Sequence, residues 1–121
     1  MDRQISIDGK KIYYRTTGNG KNILLVHGFG ETGNVWKNQI ACFGSKYRLI
    51  IPDLPGSGQS DSIPDMSMEG MAEVLKKILE VEDCTSADPG KQVTLIGHSM
   101  GGILVRAQGS RITPVEALRH E

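Results

Sequence analysis

The stretch VTLIGHSMGGIL, from Val93 to Leu104, decides the fold of this chain. It opens with a short apolar run of the kind found in strands that helices cover on both faces. Directly afterwards, Gly97 to Gly101 fit the pattern G-x-S-x-G, in which a serine stands at the tip of a sharp strand-to-helix turn. Strand and helix approach closely at such a turn, so the flanking positions need residues with almost no bulk. Glycines at 97, 101 and 102 meet that need, and the stretch therefore predicts a strand, a tight bend at Ser99 and a helix.

Ser99 also has a simpler interpretation. Serine is a favoured N-cap residue, so Ser99 could serve only to begin the helix that follows. The neighbouring His98 adjoins Ser99 in the chain, which places its ring poorly for taking the proton of that serine. We therefore interpret His98 as a packing residue at the turn.

The rest of the pattern alternates strands with helices. QISIDGKKIYYRTTG alternates in polarity on both sides of Asp8-Gly9, a dipeptide that tolerates a type I′ turn, and so predicts a β-hairpin. Buried strands are predicted at NILLV, at Tyr47 to Ile51 and at Val93 to Ile96. Helices are predicted for NVWKNQIACF, with Val35, Trp36, Ile40 and Phe43 near one face, and for SMEGMAEVLKKILE, with Ser67 as N-cap and an apolar stripe at Met68, Met71, Leu75, Ile78 and Leu79. This order predicts an α/β fold with parallel central strands, whose chemistry gathers at the carboxyl ends of the strands.

Composition narrows the class of protein. The chain has 121 residues, and its 14 basic side chains balance 14 acidic ones, so charge gives no reason to expect a nucleic acid or an anionic membrane as partner. The longest apolar run, Ile23 to Val26, is far too short to span a bilayer, and the amino terminus lacks a signal-peptide pattern. Cys42 and Cys84 have no metal-ligand spacing. We expect a single cytoplasmic domain, residues 1–121, with reduced thiols and a small-molecule partner.

The first glycine loop (His27–Gly33, HGFGETG) supports a rival interpretation. Its glycines match G-x-G-x-x-G after a strand, and Asp53 ends the next strand 20 residues beyond Gly33, as in a dinucleotide-binding module of the Rossmann type. Bulky Trp36 in the first helical turn, the preceding hairpin and the unexplained GHSMGG weigh against this module. A hydrolase mechanism uses both loops, because the amides of Phe29 and Met100 could together stabilise an oxyanion.

Three loops together resemble the α/β-hydrolase superfamily, particularly its esterases and lipases. LLVHGFG, IIPDLPGSGQSD and LIGHSMGG occur in that family's order and spacing, and the resemblance covers residues 5–104. It implies that Ser99 is the nucleophile, that His27 and Gly28 begin the oxyanion loop, and that Phe29 and Met100 donate the oxyanion hydrogen bonds. It also implies a structural turn at Asp53, Gly56, Gly58 and Ser60, and no metal or organic cofactor. Serine rather than aspartate at the elbow is unlike the dehalogenase and epoxide hydrolase branches.

The remaining triad members are not found in this sequence. In the resembled family an acid and then a histidine follow the serine, whereas residues 105–121 diverge from the family pattern. TPVEALRH predicts a short helix with Thr113 as cap and Glu116 in a capping box, and His120 stands one position from the end. Neither Glu116 nor His120 is assigned to a triad. The resemblance therefore implies a single partial domain, the N-terminal part of an α/β-hydrolase fold, with residues 1–104 family-like, residues 105–121 a divergent tail, and a sheet that stops after the fifth strand.

These features predict a hydrolase of carboxylic esters or related acyl bonds that is nearly inactive as this chain, since a serine without a general base is a weak nucleophile. A non-catalytic truncated isoform or binding fragment is the first alternative, and the dinucleotide module is the second. Without later strands, VTLIG would present an unpaired apolar edge, which predicts self-association.

Overall fold

A β-hairpin begins the fold, with the turn that the sequence predicts. Strand β1 (Asp2–Ile7) pairs antiparallel with β2 (Lys10–Thr17). Between them, Asp8 and Gly9 have φ values of 50° and 79°. Positive φ at both central residues is the requirement of a type I′ turn, whose twist matches that of the flanking strands.

The three predicted buried runs form the centre of the sheet. The computed structural model describes residues 1–84, 88–98, 101 and 115–120. Within these, the runs form β3 (Lys21–Val26), β4 (Tyr47–Pro52) and β5 (Val93–Gly97). Strand β3 lies between β4 and β5 and is parallel to both, while β2 joins the far edge of β4 antiparallel. The prediction of an α/β fold with parallel central strands is confirmed.

The end of the chain departs from the prediction. Val115–His120 forms a strand, β6, which pairs parallel with β5, so the described sheet has the order β1-β2-β4-β3-β5-β6. The predicted short helix is therefore wrong, and so is the unpaired edge of β5; Thr113 and Pro114 lie outside the described residues. Helix signals in TPVEALRH are local and weak, whereas an apolar strand edge offers a full row of backbone partners. Self-association stays a prediction, with β6 rather than β5 at that edge.

The helices cover both faces of the sheet unequally. Helix α2 (Met68–Val81) begins at Ser67, whose side chain accepts from Gly70 N–H as an N-cap, and most of its predicted apolar stripe is buried. On the other face a 3₁₀ turn (Gly33–Trp36) leads into the short α1 (Lys37–Phe43). The change from three to 3.6 residues per turn breaks the predicted helical face. Trp36 is buried, whereas Val35 and Phe43 are 40% and 42% exposed.

Two apolar clusters hold these layers together. The larger one packs α2 against the inner face of the sheet and includes Tyr14, Leu24, Ile50 and Leu95. The smaller one lies on the opposite face and consists of Leu25, Trp36, Leu49 and Ile51. Among the described residues, no helix is long and apolar enough to cross a membrane.

Candidate active site

The carboxyl ends of β3, β4 and β5 bring three loops to one edge of the sheet. The first glycine loop follows β3, the turn that begins at Asp53 follows β4, and the bend that begins at His98 follows β5. Because the three strands are parallel and adjacent, these loops meet. This edge is where the sequence predicts the functional residues.

His98 and Gly101, on either side of the predicted nucleophile, are hydrogen-bonded to each other, and both lie against the end of β3. His98 N–H donates to the carbonyl of Val26 at 3.0 Å, and Gly101 N–H donates back to the carbonyl of His98 at 2.9 Å. A Cβ at Gly101 would lie 2.3 Å from Val26 O and 2.7 Å from His27 O, so only glycine fits there. Ser99 and Met100, the predicted nucleophile and second oxyanion donor, lie outside the described residues.

The first glycine loop turns back immediately after β3. Glu31 N–H donates to Gly28 O at 3.2 Å, and Gly30 has a φ of 78°, as the third residue of a type II turn requires. The tip of this turn is Phe29, whose side chain is 85% exposed. Within the described part of the chain, Phe29 N–H donates to no group. Among the described residues, no acceptor therefore competes with a ligand atom for this predicted oxyanion donor.

The buried side chain of His27 anchors this turn. Its ring is fully buried, and Nε2 accepts from Leu54 N–H at 2.9 Å, so the proton of the neutral ring belongs on Nδ1. Nδ1 lies 2.7 Å from Gly28 O and donates to it. We assign the tautomer from these two contacts. Both ring nitrogens are used, so His27 is a structural anchor that joins the loop after β3 to the loop after β4, and no base function remains for it.

Glu31 is a site residue that the sequence interpretation missed. Its Oε1 accepts from Gly28 N–H at 2.6 Å and lies 3.0 Å from Nδ1 of His98. The hydrogen bond to His98, and then that from Gly28 N–H, lowers the pKa of the Glu31 carboxyl below its ordinary value. A signal was present, because a glutamate can reach back to the backbone N–H three residues earlier, as the glutamate of a capping box does.

His98 packs at the bend as predicted, and it also carries this polar contact. Its ring meets Trp36 edge to face, with centroids 6.3 Å apart and an interplanar angle of 81°. Trp36 is buried, and its Nε1 has no hydrogen-bond partner among the described residues. Trp36 and Glu31 therefore hold the His98 ring from two sides.

Asp53 braces the loops and does not present a free carboxylate. Oδ1 accepts from Gly33 N–H at 2.8 Å and Oδ2 accepts from Gln59 N–H at 3.0 Å, while Ser60 Oγ donates to the backbone carbonyl of Asp53 at 2.6 Å. A ribose would find both carboxylate oxygens occupied. The sheet also places β5 beside β3, whereas a classical dinucleotide fold puts the third parallel strand beyond the second. The structure gives the dinucleotide alternative no support.

A cavity of about 390 Å³ opens beside the first glycine loop. One wall is the turn at Phe29, and the opposite wall comes from the loop after β4 and the start of α2. The lining is mostly apolar and includes Phe29, Leu54, Pro55, Met66, Met68 and Met71. Methionine side chains adapt to differently shaped apolar groups. The cavity can therefore receive an apolar group next to the turn at Phe29.

Known proteins share this architecture. A family model described as alpha/beta hydrolase fold matches residues 21–112. The pimeloyl-(acyl-carrier protein) methyl ester esterase of Proteus mirabilis is 33% identical over 95 residues, covering 78% of this chain and 33% of that protein. The structure of the N-acyl homoserine lactonase AidH superposes with a TM-score of 0.84 at 26% identity, over 95% of this chain and 42% of that one. The epoxide hydrolase CorEH gives a TM-score of 0.85 at 24% identity, over 99% of this chain and 40% of that one, which shows a shared fold.

The chain is much shorter than these proteins. It spans 27% to 33% of the length of the curated relatives that it matches. The region matched by the family model contains β3, β4, β5 and the three loops at their carboxyl ends.

Proposed function

The chain belongs to the α/β-hydrolase fold family, and we propose that it carries the nucleophile and the oxyanion donors of a serine hydrolase. Ser99 loses its hydroxyl proton to a general base and attacks the carbonyl carbon of a carboxylic ester or related acyl bond. The acyl bond to the leaving group breaks, the alcohol or other leaving group departs with a proton returned by that base, and an acyl-serine intermediate remains. The amides of Phe29 and Met100 receive the negative charge that develops on the carbonyl oxygen. Release of the acyl group by water regenerates Ser99.

One observation supports this proposal above the others. The bend from His98 to Gly101 closes on the end of β3, with Gly101 in a space that admits no side chain, next to a loop whose Phe29 N–H donates to no described group. A serine that only capped a helix would need neither the glycine nor the adjacent free amide. The bend therefore supports the elbow interpretation of Ser99 over the N-cap interpretation.

The energetics of acyl transfer explain what each group contributes. An oxyanion donor aimed at the developing charge is worth about 3 to 4 kcal/mol when lost. The serine also needs a general base, and His27 cannot serve because both of its ring nitrogens are bonded. We propose that the general base, and the carboxylate that orients it, are supplied by residues outside the elbow and the oxyanion loop. Residues 1–121 alone are then expected to hydrolyse esters more slowly than an enzyme with a complete triad, by a factor on the order of 10⁴ or more.

The substrate class follows from the cavity and from the balanced charge. A mostly apolar cavity of about 390 Å³ beside Phe29 suits a small neutral ester with an apolar acyl group. Two relatives, named as a methyl ester esterase and an N-acyl homoserine lactonase, act by their names on acyl bonds. Serine at the elbow also favours acyl transfer over epoxide opening. The proposed reaction uses neither a metal ion nor an organic cofactor.

Hydrolysis of p-nitrophenyl esters tests the proposal. In the protein that continues this reading frame to the length of its relatives, we expect p-nitrophenyl butyrate to be hydrolysed and Ser99→Ala to abolish turnover. Ser45→Ala, an exposed serine before β4, is the matched control and should leave the rate unchanged. Unchanged turnover in Ser99→Ala would remove this serine from the mechanism.

The non-catalytic alternative predicts a different result. A truncated isoform or binding fragment would give neither an ester burst nor labelling of Ser99 by a fluorophosphonate when residues 1–121 are tested. Labelling that disappears with Ser99→Ala excludes that alternative.

A further inference from the structure

One carboxylate oxygen links the first glycine loop to the bend after β5. Oε1 of Glu31 accepts from Gly28 N–H at 2.6 Å and from Nδ1 of His98 at 3.0 Å. Hydrogen bonds to an ionised acceptor are shorter and about twice as strong as neutral ones. The Glu31 side chain is 29% exposed, so water screens the link only in part. Glu31 thus joins the loop that carries Phe29 to the residue directly before Ser99.

Contacts on both sides of Gly28 fix the direction of the Phe29 amide. Gly28 O and Phe29 N–H belong to one planar trans peptide, so they point in opposite directions. Gly28 O accepts from His27 Nδ1 and from Glu31 N–H, while Gly28 N–H donates to the Glu31 carboxylate. Without the carboxylate, the peptide between His27 and Gly28 loses this contact and can rotate, and the next peptide, which carries Phe29 N–H, then depends on the carbonyl contacts of Gly28 alone. A glycine followed by an exposed turn offers little steric resistance to such rotation.

We propose that Glu31 is a positioning residue, which holds the Phe29 amide in the orientation that the oxyanion hole requires by bonding Gly28 N–H and His98 at once. The inference rests on the proposed acyl-transfer function. Glu31 touches no reacting atom in this account; it acts through the backbone of Gly28 and through His98. The edge contact of His98 with Trp36 keeps the far end of this link in place.

The charge on Glu31 agrees with this function. Its pKa is lowered by the hydrogen bonds from His98 and from Gly28 N–H, so the carboxylate is ionised at neutral pH and can accept both donors. Glutamine keeps one oxygen acceptor but loses the charge, and alanine loses both. The series Glu, Gln, Ala at position 31 therefore grades the strength of the link without changing the length of the loop.

The experiment combines labelling of Ser99 with a resonance of Gly28. A fluorophosphonate is added over a range of concentrations to the protein in its full reading frame, and the maximal rate of labelling is separated from the half-saturating concentration. We expect Glu31→Ala to lower the maximal rate on the order of 10- to 100-fold, as a misplaced catalytic group does, with half-saturation unchanged. Glu31→Gln should recover part of the rate, and Glu80→Gln, an exposed glutamate at the far end of α2, should have none of these effects.

The second readout is independent of Ser99 reactivity. The Gly28 amide proton, bonded to a carboxylate, should resonate far downfield and should move as Glu31 is protonated, and Glu31→Gln should remove this movement. Equal maximal rates in all four proteins would overturn the positioning function and leave the proposed reaction intact. Absence of labelling in the unsubstituted protein would overturn both, while a Gly28 resonance insensitive to Glu31 would show that the link itself is wrong.

Discussion

Two glutamates at opposite ends of the sheet each collect several donors, yet their surroundings differ. Glu82 follows α2, near the amino ends of the parallel strands. Its side chain is 4% exposed and contacts Tyr14 Oη at 2.5 Å, Arg48 and Arg3. Glu31 lies at the carboxyl ends, is 29% exposed, and contacts one amide and one imidazole.

The surroundings of the two glutamates indicate that Glu82 stabilises the fold, whereas Glu31 acts at the candidate site. Around Glu82, each donor is a side chain from the hairpin or from β4, and Arg48 also reaches Asn22 and Cys84. The contacts of Glu82 tie the end of α2 to β1, β2 and β4. Burial, with the hydrogen bond to Glu82 as a second cause, raises the pKa of Tyr14, and burial raises that of Cys84. Glu31 instead holds backbone in a loop beside a cavity, so its loss should affect reactivity more than stability.

The largest stability effect is expected at Glu82. Glu82→Gln removes the negative charge and leaves Arg48 without its ion-pair partner, which should lower the free energy of unfolding by about 3 kcal/mol. Since Arg48 is 26% exposed, the loss should fall at the lower end of the range for buried pairs. Urea unfolding followed by circular dichroism measures it, with Glu80→Gln as control. A loss no greater than that of the control would make the two ends of the sheet energetically alike.

A smaller loss is expected at the bend. In Gly101→Ala the new methyl group would meet two backbone carbonyls, at 2.3 and 2.7 Å, which cannot move aside as a flexible side chain would. We expect a loss of about 2 kcal/mol, typical of overpacking, together with loss of Ser99 labelling. Gly90→Ala is the matched control, because its nearest neighbour lies at an ordinary 3.6 Å. Equal stability and equal labelling in the two variants would show that the bend has room to spare.

The smallest effect is the pH dependence contributed by Glu31. Its folded-state pKa is lowered, so its contribution is fully present above the unfolded value of about 4.3 and disappears as pH falls through the lower folded value. The free energy of unfolding of the wild type should therefore exceed that of Glu31→Gln by less than about 1 kcal/mol at pH 6. This difference should close as the pH is lowered. His98 and His27, the nearest titratable groups, are present in both proteins. A gap that widened toward low pH would have the wrong sign for this interpretation.

The parts of the fold that depend on local sequence could be predicted. Asp8-Gly9 specifies its turn, Ser67 its cap, and the stripe from Met68 to Leu79 its buried face, because each rests on neighbours a few residues away. The strand at Val115–His120 could not, since it depends on a parallel partner about twenty residues earlier in the chain. At the site, the glycines and Asp53 were predictable from their spacing. The link from Glu31 to His98 depends on two loops meeting in space, which neither loop encodes alone.

In the proposed reaction, Phe29 N–H and the amide after Ser99 donate hydrogen bonds to the oxyanion. A crystal structure of the full-reading-frame protein with a phosphonate on Ser99 tests it most directly. We predict one phosphonyl oxygen within about 3.1 Å of both Phe29 N and Met100 N, the distance that oxyanion donors require. A phosphonyl oxygen directed away from Phe29, toward solvent or toward another donor, would contradict the account.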